Sequence, residues 1–170
     1  MGRSWEPWGR FLIPYERDSI LSGIDVEITK HVGQTVEWWE YDPEATAVDD
    51  VYDVGSVDGG RRWKDPFTMI CINVNLYHGV TVQDARGFYN TDVLRISLNV
   101  KDIESLMPHM ITSTDDRLKD RVVFRGEVFR PNRITPKGQL TDDYTIFTIE
   151  CVQINPEELI NDPQFSDYAK

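Results

Sequence analysis

Two cysteines and three histidines are all the thiol and imidazole chemistry this 170-residue chain holds. The cysteines form no CxxC pair, which gives no support for a structural zinc site or a redox couple. Cys71 and Cys151 each lie within a strand-like run, so two buried free thiols are expected rather than a disulfide. His31, His78 and His109 are scattered, and GxSxG, HExxH and GxxxxGKS are all missing; each histidine is expected at the surface or in a turn, not as a general base. No metal and no cofactor is expected. Uninterrupted apolar stretches are only a few residues long, as at Phe11-Leu12-Ile13, too short for a membrane span or a secretory signal, so the expectation is an intracellular, soluble protein. Basic residues are also scarce. Eighteen against 29 acidic ones give a net charge of -11, so the surface should repel nucleic acid and anionic membrane. A sequence-reading DNA binder is not expected on that ground, although repulsion suits a protein that lets DNA pass without holding it.

What is present fits one domain. Area scaling for this length buries roughly 70% of the unfolded chain's surface, and 40% hydrophobic residues rule out global disorder. Residues 1–19 hold two prolines, Trp5, Trp8 and mixed charges without periodicity. They read as an arm able to extend about 60 Å, with Trp5, Trp8 and Phe11 as its partner-binding residues; packing of Trp5 and Trp8 on their own domain is the alternative. From Ile24 to Thr29 apolar and polar residues alternate, which predicts a strand, and Thr35–Tyr41 predicts a second one paired with it in a hairpin.

Residues 42–66 break every regular pattern, with Pro43, Gly55, Gly59, Gly60 and Pro66 among Asp42, Glu44, Asp49, Asp50, Asp53 and Asp58. Structureless connections of that length in a compact domain are uncommon unless functional or disordered. The run Phe67–Leu76 predicts a strand with Ile70, Ile72, Val74 and Leu76 on one face. Val93–Val100 alternates cleanly, with Leu94, Ile96, Leu98 and Val100 inward. Lys101–Met107 predicts a short helix ended by Pro108, with Ile103, Leu106 and Met107 on one side. Val122–Phe124, Arg125-Gly126-Glu127 and Val128–Arg130 read as strand, turn and strand, and Tyr144–Val152 closes the set. The fold class is therefore mainly β: a small antiparallel β-barrel or sandwich with one short helix, a long inserted loop and extended termini. The division is an arm at 1–19, a body at 20–154 that includes loop 42–66, and a tail at 155–170.

Within the loop, charge changes sign between Asp49-Asp50-Val51-Tyr52-Asp53 and Arg61-Arg62-Trp63-Lys64. A solvated loop with local ion pairs is one reading. The other is that one half repels a polyanion or meets a neighbour's basic half while Trp63 anchors the loop base. Asp49, Asp50, Asp53 and Asp58 are hard oxygen donors, but their spacing fits no EF-hand. Spacing singles out no carboxylate pair of the glycosidase kind.

This order of features resembles the head-to-tail connector proteins of long-tailed bacteriophages, specifically the head-closure or stopper group. The resemblance rests on Asp49-Asp50-Val51-Tyr52-Asp53 leading to Gly60-Arg61-Arg62-Trp63-Lys64-Asp65-Pro66, and on Asp120-Arg121-Val122-Val123-Phe124-Arg125-Gly126-Glu127-Val128-Phe129-Arg130. It spans residues 24–154. It implies a non-enzymatic β-barrel subunit of a homo-oligomeric ring, a hexamer, in the virion neck, assembled in the host cytoplasm. Its implied partners are the portal or adaptor on one side and tail terminator or tail tube proteins on the other. Residues 42–66 would be the channel loop that touches packaged DNA transiently and retains it, with Asp49, Asp50, Tyr52, Asp53, Asp58, Arg61, Arg62, Trp63 and Lys64 as its site residues. No membrane contact is implied. The alternatives are a tail terminator ring or another neck component, a stand-alone β-barrel binding module, and a hydrolase or metal enzyme.

Overall fold

The computed structural model describes residues 13–27, 34–47, 60–84, 87–108, 115–139, 143–160 and 162–168. Helix α1 (Ile13–Glu27) precedes strands β1 (Gln34–Trp39), β2 (Phe67–Cys71), β3 (Asn73–Asp84) and β4 (Gly87–Asn99). Helix α2 (Val100–Leu106) and a 3₁₀ turn (Asp115–Lys119) lead to β5 (Arg121–Phe124), β6 (Glu127–Lys137) and β7 (Ile146–Gln153). Helix α3 (Pro156–Ile160) and a second 3₁₀ turn (Pro163–Tyr168) end the described chain. The seven strands form one antiparallel sheet in the order β2-β1-β5-β6-β7-β4-β3.

The mainly-β reading holds, and its sandwich form is the one observed. No ladder among the described residues joins β2 to β3, so the sheet is not a closed barrel. Its two ends are nonetheless consecutive in the chain, separated by Ile72 alone, whose N–H donates to Ser97 O at 2.8 Å. A sheet whose outermost strands are chain neighbours must fold back on itself. The main core fills the space so enclosed, taking Trp38 from β1, Met69 and Cys71 from β2, Leu94, Ile96 and Leu98 from β4, Phe129 from β6 and Ile149 from β7.

Ile72 is also where one expectation fails. Met69 and Cys71 are buried in β2, whereas Val74 and Leu76 pack against the same core from β3, so inward parity changes from odd to even across the corner. Ile70 consequently faces outward and is exposed. In β4 the expected set, Leu94, Ile96, Leu98 and Val100, is buried throughout. The β5–β6 turn falls at Arg125-Gly126, where φ values of 54° and 81° give the doubly left-handed backbone that matches the twist of a tight hairpin. Both cysteines are free and buried, as expected.

The strand expected at Ile24–Thr29, and its hairpin with Thr35–Tyr41, are replaced by α1 through Glu27; β1 pairs with β2 and β5 instead. The first part of that six-residue alternation, Ile24–Glu27, also fits a helix in which Leu21 and Ile24 share a face, and here Leu21 is buried. Tertiary polar contacts favour the helix: Asn99 Nδ2 donates to Asp25 Oδ1 at 2.6 Å and to Leu21 O at 3.4 Å, and Arg17 pairs with Glu104 and Asp143. Residues 13–19 of the expected arm are thus helical. The expected short helix is α2, capped by Asn99, whose side chain accepts from Lys101 N; Ile103 and Met107 are buried as expected, but Leu106 is exposed. The C-terminal segment is not an extended tail either. It packs over β1, β5 and β6, on the sheet's second face.

Candidate functional site

The loop between β1 and β2 stands on a built stem. The β1–β2 ladder runs from Gln34↔Cys71 to Trp38↔Phe67, and beyond it the chain keeps pairing one residue out of register, with Tyr41 bridging to Trp63. Backbone bonds from Lys64 N to Glu40 O, Asp42 N to Arg62 O and Ala47 N to Gly60 O, all 2.9 Å, carry the pairing outward. Asp42 Oδ1 accepts from the backbone of Glu44 and Ala45, and Thr46 Oγ1 donates to Asp42 O and accepts from Arg62 N. The flanks of this connection, 40–47 and 60–66, are therefore paired with each other and fixed.

Three sets of contacts hold that stem to the body. Trp63, 4% exposed, is the centre of the first. Its backbone N–H and C=O are both bonded by the Gln164 side-chain amide at 2.8 Å, as a neighbouring strand would do, and its Nε1 donates to Lys119 O at 3.1 Å. Phe165 meets the Trp63 ring edge-on at 5.1 Å and the Trp39 ring at 5.0 Å, while Tyr41 meets Trp63 at 6.0 Å. With Val123, Val128, Ile154 and Leu159 these rings form a second core.

The second set is ionic. Arg61 Nε donates to Asp162 Oδ1 at 2.9 Å, and its Nη1 pairs with Glu158 at 3.3 Å. Buried Arg121 lies 3.7 Å from Asp162 and 3.6 Å from Glu158, with its guanidinium stacked 4.8 Å over Trp63. Burial brings the Arg121 group down to about 10, against the pull of Asp162, and raises Asp162 despite both arginines. The third set centres on Asp120, which is fully buried. It accepts from Trp38 Nε1 at 2.9 Å and Tyr41 N at 2.8 Å, and Arg117 links it to Glu40, which also pairs with Lys64. Burial outweighs these bonds and pushes the Asp120 carboxyl up to about 6.

Of the residues singled out in the sequence, Arg61 and Trp63 are thus committed to the body, while Arg62 and Lys64 are exposed. Asp49, Asp50, Tyr52, Asp53 and Asp58, and Trp5, Trp8 and Phe11 of the arm, lie outside the described residues, as do His31 and His109. His78 is exposed and meets Asp92 at 2.6 Å. Sequence reasoning missed Asp120, Gln164 and Phe165 as the groups that fix the loop base. The one available signal was the apolar set Leu159, Ile160, Phe165 and Tyr168 within an acidic tail.

Two open hollows, of about 320 and 360 Å³, flank Tyr168 and the β5–β6 turn. The carboxylates that burial raises, Asp102, Asp120 and Asp162, line neither. Among the described residues no group of His, Cys, Asp and Glu is placed to hold a metal ion, and no helix is long and apolar enough to cross a membrane.

These features define a sandwich-like β domain carrying a stem-mounted loop. No protein-family model matches the chain, and no curated protein matches it either. Among solved structures, a chain from the "virion of native gene transfer agent (GTA) particle" is similar over 71% of this chain and 94% of its own length, at 11% sequence identity and a TM-score of 0.41. That degree of likeness carries no functional argument.

Proposed function

We propose that this chain is a structural subunit of a phage-like virion, a head-to-tail stopper whose copies form a ring between portal or adaptor and tail and whose β1–β2 loop retains packaged DNA in the channel. One observation supports this reading above the others: a long excursion stands on a stem locked to the body by Trp63, Arg61 and Asp120. A loop that must resist packaged DNA needs a rigid base, since a force on its tip is otherwise dissipated by hinging at the root. Residues 49–58 hold four aspartates and no basic residue, a charge that disfavours adhesion to phosphate and suits a stop that is steric and quickly released. The sequence resemblance to the stopper group adds the ring and its neighbours.

The test is the mass of the purified chain, alone and mixed with portal and tail components, by sedimentation or light scattering. Ring-sized species that join both components are expected. A monomer that ignores both would overturn the reading.

A further inference from the structure

The β3–β4 hairpin outruns the rest of the sheet. β7 pairs with β4 only from Val93 onward, so Val80–Asp84 and Gly87–Thr91 stand beyond it as a two-stranded ribbon. A bulge sets the ribbon's root: two residues, His78 and Gly79, oppose Asp92, whose carboxylate accepts from Gly79 N at 3.0 Å and meets His78 at 2.6 Å, with Gly79 at φ 64°. Ribbons of two strands are marginal in water unless something covers them. Near the tip Phe88 is 74% exposed, more than any other large apolar side chain among the described residues.

Charge narrows what can cover it. In a chain that is 28% charged, the run from Phe67 to Gln83 holds no charged residue, and neither does Gly87–Thr91. Two copies, each with a net charge of -11, repel one another wherever acidic surface meets. In sequence Asp84 and Arg86 offset one another, so the stretch Val80–Thr91 carries no net charge, and there that repulsion is least. The same chain also offers a receiving surface, the hollow of about 360 Å³ lined by Val128, Ile154, Pro156, Leu159 and Tyr168 together with the acidic Glu127 and Asp167.

We propose that the ribbon is a knob with which one copy engages a second copy of this chain, Phe88 seating in the second copy's hollow beside Tyr168. Knob and hole are different patches, so the contact is heterologous and repeats around a ring. This rests on the reading that the chain assembles with itself, and it adds the surface that does so.

Sedimentation of the full chain provides the first arm of the test. Phe88→Asp should weaken self-association about 30-fold or more, the loss of one central anchor, and Phe88→Leu should retain most of it. Far-UV circular dichroism should be unchanged for both, because Phe88 is exposed. Disulfide trapping provides the second arm, since the native thiols are buried. Phe88→Cys mixed with Pro156→Cys should give a cross-linked pair that neither variant gives alone. Unchanged association of Phe88→Asp overturns the proposal and leaves the ring reading standing, as does Phe88→Cys linking only to itself. A wild type that is monomeric at every concentration also overturns it, whereas the ring reading falls only if that monomer ignores portal and tail components too.

Discussion

Replacing Trp63 by alanine separates an anchoring side chain from one that serves the loop's tip. Truncating a buried aromatic of this size typically costs about 3–5 kcal/mol, and Trp63 also loses the Nε1 bond to Lys119 O, worth about 1 kcal/mol. The combined loss of about 4–6 kcal/mol is a large part of a stability of about 5–15 kcal/mol. In a domain of this length each kcal/mol moves Tm by about 2–4 °C, so a fall of about 8–24 °C is expected in calorimetry. The damage should also be local in origin. Hydrogen exchange should speed up at 40–47, 60–66 and 162–168, which share the Trp63 contacts, while β4 and β7 keep their protection relative to the new global stability. Gln164→Ala should produce the same exchange pattern with a smaller Tm change. A Tm within about 3 °C of wild type, with the C-terminal segment still protected, would refute the anchoring argument.

Further outcomes follow from other sites. Asp120 sits at about 6 against an unperturbed 3.8, so the folded chain binds this proton more tightly than the unfolded one. Its contribution to stability is full below pH 3.8 and is lost as pH rises through 6. Asp102 and Asp162 are shifted the same way by burial. Tm should therefore rise between pH 7.5 and 5, less so in Asp120→Asn, and a Tm that falls over that interval contradicts the assignment. Gly138 has φ 66°, and a Cβ there would collide with Thr145 Oγ1, which donates to Gly138 O; Gly138→Ala should cost about 1–3 kcal/mol in urea titration, and a neutral result would show that the turn relaxes. Burial pushes the Cys71 thiol up to about 12 and Cys151 further, so neither should react with a thiol reagent at pH 8 until denaturant is added.

What was legible in the sequence was what local periodicity and burial agree on. In β4 the alternation of Leu94, Ile96, Leu98 and Val100 is long enough to admit one interpretation, and the Arg125-Gly126 turn between two apolar runs fixes the β5–β6 register. The alternation at Ile24–Thr29 misled because so short a run also fits a helix over its first residues, and the deciding groups, Asn99 and Arg17's acidic partners, are remote in sequence. At Ile72 the polypeptide turns the corner of the sheet, and nothing in the composition of an apolar run marks where its parity will change. Loop 42–66 was recognisable as an excursion from its prolines and glycines. That its return flank is stapled by Gln164 and Phe165 was not, because those contacts span about a hundred residues and no local pattern says what the tail's apolar residues pack on.

The reading of the loop as a DNA stop is tested most directly in assembled particles by replacing residues 48–59 with a short Gly-Ser link that leaves the stem and Trp63 in place. The account predicts particles with intact necks that lose their packaged DNA, measured as nuclease-accessible DNA after purification. Particles that keep their DNA as well as wild type would contradict it.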